Sequence, residues 1–149
     1  MIKIIYASST GNTEIVCEKV SELLDDADLD SGLFKAEEVH NDIFLQGRDF
    51  ILATSTWNNG QLNDMYLELY EGLLQVDLTG KRFGFIGLGD MSYGEELFCK
   101  GIDLLKKRAL QSGGTAIGET FKIDGEFTQE VSAKLEIWVK GLVNNLKSE

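Results

Sequence analysis

Residues 8–13 read SSTGNT and directly follow the apolar run IKIIYA. Hydroxyls at Ser8, Ser9, Thr10 and Thr13, the Asn12 amide and the bare backbone of Gly11 can surround an anion. Where such a loop enters a helix, the first helical amides lack partners within the helix. Together with the helix dipole they form an anion site. No lysine follows in the GxxxxGK[ST] spacing, which disfavours a magnesium-bound nucleoside triphosphate, and GxGxxG is also absent. A neutral loop suits one terminal phosphate held by uncharged donors. The alternative is a helix N-cap in a serine-rich turn.

Two further stretches have similar composition. TSTWNNGQ, residues 54–61, sets Trp57 among Ser55, Thr56, Asn58, Asn59 and Gly60, where a flat ligand could stack on it; otherwise the indole lies on the loop or on a neighbouring helix. GLGDMSYGEELFC, residues 87–99, carries Leu88, Gly89, Asp90, Tyr93, Phe98 and Cys99. Taken alone, its tyrosine reads as an exposed loop residue.

Each stretch follows an element that would position it. Lys3 to Ala7, Phe50 to Ser55 and Arg82 to Gly87 read as strands buried on both faces. Leu33 to Val39 alternates as a weaker strand, and Thr115 to Gly118 with Phe121 to Ile123 reads as a last strand broken near Gly118 to Thr120. Helical spacing recurs in Val16, Val20, Leu23 and Leu24 between Asn12 and Asp25, and in Leu62, Met65, Tyr66, Leu69 and Leu73. It returns in Phe98, Ile102, Leu105 and Ala109, and in Val131, Leu135, Trp138 and Leu142 after the Asp124-Gly125 turn. Asp42 to Gln46 reads as one short helical turn closed by Gly47. Strand and helix alternate five times without repeat or linker. That pattern predicts a single α/β domain over residues 1–149, a parallel sheet with helices on both faces. Ligands of such sheets bind beyond the carboxyl ends of the strands, where the three polar stretches fall.

Composition narrows the chemistry. With 14 basic and 25 acidic residues, the formal charge of −11 repels nucleic acid and favours basic partners. No apolar run approaches a membrane span, and MIKIIYASS lacks the regions of a signal peptide, so a cytoplasmic monomer away from membranes is the expectation. Cys17 and Cys99 fit no metal spacing and are too few for a disulfide scaffold. Cys17 reads as core packing, and the lone His40 as a surface residue.

IIYASSTGNT resembles the phosphate-loop signature of flavodoxins, with an aromatic at Tyr6, hydroxyls at Ser8, Thr10 and Thr13, and Gly11 between them. The other two loops continue the match along the whole chain, whose length resembles the short-chain group. The resemblance implies a doubly wound, five-stranded parallel sheet of order 2-1-3-4-5, a flavodoxin-like three-layer sandwich. FMN then sits at the junction of strands one and three, a placement taken from flavodoxins themselves. It further implies that Ser8, Ser9, Thr10, Gly11, Asn12 and Thr13 hold the phosphate. Ser55, Thr56, Trp57, Asn58, Asn59 and Gly60 would line the inner face of the ring, and Leu88, Gly89, Asp90, Tyr93, Phe98 and Cys99 its outer face and pyrimidine edge. Two residues stand inserted between Tyr93 and Phe98 relative to the commonest short-chain spacing.

The implied function is a low-potential one-electron carrier, not an enzyme, that meets basic-surfaced reductases and acceptors transiently. Asp64, Glu68, Glu95, Glu96, Asp124 and Glu126 are the acidic candidates at the ring rim, each equally readable as solvated surface. A flavodoxin-like activator of a ribonucleotide reductase and a flavin-free binding module remain as alternatives. A signalling receiver of the same fold fails, because Ala7-Ser8, Ser55 and Gly118 to Thr120 stand where it needs acidic residues, a phospho-acceptor aspartate and a lysine.

Flavodoxins often have glycine after the inner aromatic, and its carbonyl turns toward flavin N5 when the ring takes up an electron and a proton. Here that residue is Asn58. The turned peptide needs a positive φ, which glycine reaches freely and asparagine only with strain. Asn58→Gly is therefore expected to raise the potential of the first electron, measured by anaerobic titration against reference dyes; an unchanged value removes this peptide as a control point.

Overall fold

A computed structural model describes the chain except for residues 9–10, 58–60, 95–97 and 149. Ile2–Ala7 (β1) has hydrophobic residues turned to both faces, so it can only be central. Asn12–Asp26 (α1) follows, then Ser31–Lys35 (β2), which pairs parallel with β1. Asp49–Trp57 (β3) takes the other side of β1 and continues through a two-residue antiparallel pairing with Gln61–Leu62 (β4). Leu67–Gly72 (α2) is a short helix between 3-10 turns at Asp64–Tyr66 and Leu73–Gln75. Arg82–Gly89 (β5) lies parallel to β3, and Lys100–Gln111 (α3) packs behind it. Thr115–Ala116 (β6) and Phe121–Asp124 (β7) both pair with β5 before Gln129–Lys147 (α4) closes the chain.

Setting aside the antiparallel β4 and taking β6 and β7 as two halves of one interrupted strand, the sheet runs β2-β1-β3-β5-β6/β7, the parallel 2-1-3-4-5 order that the flavodoxin resemblance implies. The Ile117 amide extends the first half by donating to Phe83 O at 2.7 Å, and the positive φ of Gly118 follows. Two expectations need correcting: the helical spacing from Leu62 to Leu73 breaks into the short α2 and its flanking 3-10 turns, and the second strand is shorter than its alternation. The second strand stops at Lys35, and Ala36–Glu38 is a 3-10 turn instead of more strand. Ala36 is buried there against the face occupied by Phe44 and Tyr66, so packing overrides the local alternation.

The sheet divides the core in two. Ile2, Ile4, Tyr6, Ile51, Ile86 and Leu88 face α1 and α4, where they meet Val16, Val20, Leu24, Leu135 and Val139. Ile5, Leu52, Phe83 and Phe85 face α2 and α3 with Leu69, Ile102 and Leu105. On that side Phe50 stacks on Phe83 at 5.3 Å, with Phe44 set edge-on to Phe50 at 5.3 Å. A Cβ at Gly87 would sit 2.3 Å from Ile102 Cγ2, so the missing side chain is what lets α3 approach β5.

Both thiols are fully buried. Burial pushes the Cys99 thiol from its ordinary 9.0 up to about 12, and it raises Cys17 further, helped by Glu14 and Glu18. Burial together with the Glu14 hydrogen bond likewise lifts the Tyr6 phenol to about 12. Above its unfolded pKa each group loses its proton in the unfolded chain while the folded chain still holds it. These three groups therefore leave stability unchanged from neutral pH to roughly pH 9 and lower it as pH rises toward about 12. Urea midpoints measured across that range are expected to be flat and then decline, with neither thiol reacting with a disulfide reagent at neutral pH until the chain unfolds.

Candidate functional site

The register of the central strands brings the three polar loops together. Ala7 lies opposite Thr54, Ser55 opposite Leu88, and Gly89 opposite Asp124, so the loops leave the sheet at one level and on one edge. Each predicted site residue follows from that alignment.

Ser8 is half-buried just past β1, while Ser9 and Thr10 lie outside the described residues. Gly11 is the residue before α1, at φ 89°, a left-handed conformation that L side chains rarely adopt; a Cβ there would meet nothing within 4 Å. Its carbonyl accepts from the Ile15 amide at 3.1 Å, which starts the helix. The amides of Asn12 and Thr13 then point out of the helix end without intrahelical partners, and Glu14 N approaches Ser8 Oγ at 3.5 Å. Asn12 is exposed, whereas Thr13 is buried at the first turn. An acidic residue in this first turn would compete with a bound anion for the helix end. The Tyr6 hydroxyl instead takes the Glu14 carboxylate at 3.0 Å and holds it against β1.

Ser55, Thr56 and Trp57 end β3, with Trp57 paired to Gln61; Asn58, Asn59 and Gly60 lie outside the described residues. Two side chains fasten this end of the strand. Thr56 Oγ1 accepts from the Gly101 amide at 2.8 Å, which gives the start of α3 a partner from another element. Gly101 has to be small there, since a Cβ would lie 3.0 Å from the same oxygen. Asn63, fully buried, donates to Ser55 Oγ at 3.1 Å and accepts from Met65 N at 3.0 Å. Sequence reading missed Asn63. Its one signal was an asparagine just before a helical run, the position of an N-cap.

Leu88 and Gly89 end β5, and Asp90 leads into a 3-10 turn at Met91–Tyr93. Asp90 is exposed and accepts from Ser92 N at 2.9 Å; hydrogen bonds from the Ser92 hydroxyl and amide hold its carboxyl below the ordinary carboxylate value. Phe98 is half-buried against the α2–α3 side of the core. Cys99 is fully buried at φ 53°, with its thiol directed at Ile123 O. A Cβ on Gly89 would come within 2.9 Å of Cys99 N, so Cys99 bears on the site from beneath this strand end.

Of the rim carboxylates, Glu68 pairs with His40 at 3.2 Å, and Asp124 accepts from Met91 N at 2.9 Å; Glu95 and Glu96 lie outside the described residues. Asp64 and Glu126 are exposed. Among the described residues no group of histidine, cysteine and acidic side chains could hold a metal ion, and no helix is long and apolar enough to cross a membrane.

The flavodoxin family profile matches residues 4–138. The chain belongs to the flavodoxin family. Flavodoxin of Maridesulfovibrio salexigens is 31% identical over 146 residues, covering 96% of this chain and 97% of the relative. Two solved structures are similar throughout. Flavodoxin of Streptococcus pneumoniae TIGR4 has a TM-score of 0.89 at 33% identity, covering 97% of this chain and 98% of its own. Oxidised flavodoxin 2 of Bacillus cereus has a TM-score of 0.91 at 28% identity, with the same coverage. Flavodoxins are electron-transfer proteins that use FMN, and this chain is one of them. The donor set fits that cofactor, with helix amides that lack intrahelical partners and the Ser8 hydroxyl at one corner for a phosphate.

Because a Cβ at Gly11 would meet no described atom of the chain within 4 Å, the cost of a substitution to the protein itself is backbone strain, about 1–3 kcal/mol for a residue ill suited to this conformation. Gly11→Val is expected to weaken FMN binding clearly more than Gly11→Asn, since asparagine tolerates the left-handed region. Titrating FMN into the apoproteins and following flavin fluorescence checks this, and equal losses would point to crowding instead.

Proposed function

We propose that this flavodoxin is a low-potential one-electron carrier that passes electrons between reductases and acceptor proteins with basic docking faces. The observation that carries the reading is one of charge. None of residues 8–13, 54–61 or 87–99 is lysine or arginine, in a chain of formal charge −11. FMN supplies the one-electron chemistry when bound. The amides at the start of α1, with Ser8 and the neighbouring hydroxyls, hold its phosphate without a cation. Ser55 to Gly60 and Leu88 to Tyr93 flank the ring, with Trp57 and Tyr93 as its two stacking surfaces.

Such surroundings disfavour added negative charge. Aromatic faces are electron-rich, the Ser92 hydrogen bonds favour the ionised form of the exposed Asp90, and Lys122 near the third loop is already paired with Asp103 at 3.0 Å. Each carboxylate about 10 Å away adds only about 0.4 kcal/mol through water, so the effect is a sum of modest terms. The same acidity favours transient encounters with basic surfaces, fast at low salt and slower as salt screens them.

Purified protein reduced anaerobically is expected to show one FMN per chain and a second-electron potential well below that of free FMN. Added salt should move that potential upward by screening the carboxylates. A potential equal to that of free FMN at low ionic strength would sink the low-potential reading, and a colourless protein that takes up no added FMN would sink the carrier reading altogether.

A further inference from the structure

The Asp124-Gly125 turn meets the third loop through two hydrogen bonds of opposite sense. Gly125 N donates to Gly89 O at 2.9 Å, and the Asp124 carboxylate accepts from Met91 N at 2.9 Å. Parallel register sets Asp124 beside Gly89, the last residue of β5, so its carboxylate reaches past the strand end to the next turn of the chain. Gly125 closes the turn at φ 77°, where a side chain would be strained. Met91–Tyr93 is the 3-10 turn that carries Tyr93, and its first two amides are both taken by aspartates. Asp90 holds Ser92 N from within the loop; Asp124 holds Met91 N from 33 residues away. On its surface exposure alone Asp124 would pass for one more solvated charge.

We propose that Asp124 is a positioning residue, a clasp from β7 that sets where the Tyr93 turn stands, and that its acceptor oxygen matters there beyond its charge. The inference rests on the FMN reading above and deepens it. Without the clasp, the Met91–Tyr93 turn loses a tie to the sheet, and FMN binding has to fix it at a cost in affinity. Asparagine keeps an oxygen acceptor in the same place while removing the charge; alanine removes both.

The test compares Asp124→Asn and Asp124→Ala in the full chain, by amide hydrogen exchange of the apoprotein and by FMN titration. Loss of the acceptor predicts that alanine speeds exchange at Met91 and weakens FMN binding, each about tenfold, while asparagine, whose neutral oxygen makes a bond of roughly half the strength, loses about threefold. Unchanged exchange at the core amide of Leu52 reports that the variants are folded. The loss of charge should shift the second-electron potential equally in both variants, and alanine should add a further shift. Identical behaviour of the two variants in affinity and exchange overturns the clasp, as does an unprotected Met91 amide in the wild type. If wild type takes up no FMN, the carrier reading falls, and the exchange measurement still decides the clasp.

Discussion

The parallel register of β1, β3, β5 and β7 is the constraint on which everything else depends. Because the strands are aligned, Ala7, Ser55, Gly89 and Asp124 come to the same edge, and four separate loops begin within reach of one another. Two-sided burial enforces the alignment. A slip of one residue would exchange Ile4 and Ile51, which face α1 and α4, with Ile5 and Leu52, which face α2 and α3. The site therefore inherits its geometry from the core.

Hydrogen bonds then turn alignment into a frame. Thr56 ties the end of β3 to the start of α3, Asn63 holds Ser55, and the Asp124-Gly125 turn holds the root of the third loop. Glycines make the close approaches possible, at Gly87 against Ile102, at Gly89 against Cys99 and at Gly101 against Thr56. Backbone carries much of this frame. It suits a site whose work is to hold a flat cofactor and bias its charge, since no nucleophile or general base has to be presented.

Much of this was legible in the sequence. Apolar runs buried on both faces and helices at regular spacing specify an alternating α/β chain, and SSTGNT at a strand end carries its own physical meaning as an anion loop. The single strand misread, at Ala36–Glu38, failed because local alternation cannot see Phe44 and Tyr66 across the fold. The helix expected from the spacing of Leu62, Met65, Tyr66, Leu69 and Leu73 is instead a six-residue α-helix between two 3-10 turns, with Asn63 capping the first of them. Asp124 was visible as an acidic residue, yet nothing local distinguishes a solvated carboxylate from one that accepts an amide 33 residues away.

By itself the sequence determined the alternation of strands and helices, a sheet covered on both faces, the absence of cationic residues from the three loops and the family to which they belong. These are properties of residue type and local spacing, which chain connectivity preserves. Only the tertiary structure decided which polar side chains brace the site and which face solvent. Asn63, Thr56 and Asp124 take their roles from partners brought close by strand pairing, and a contact between distant residues leaves no periodic trace along the chain.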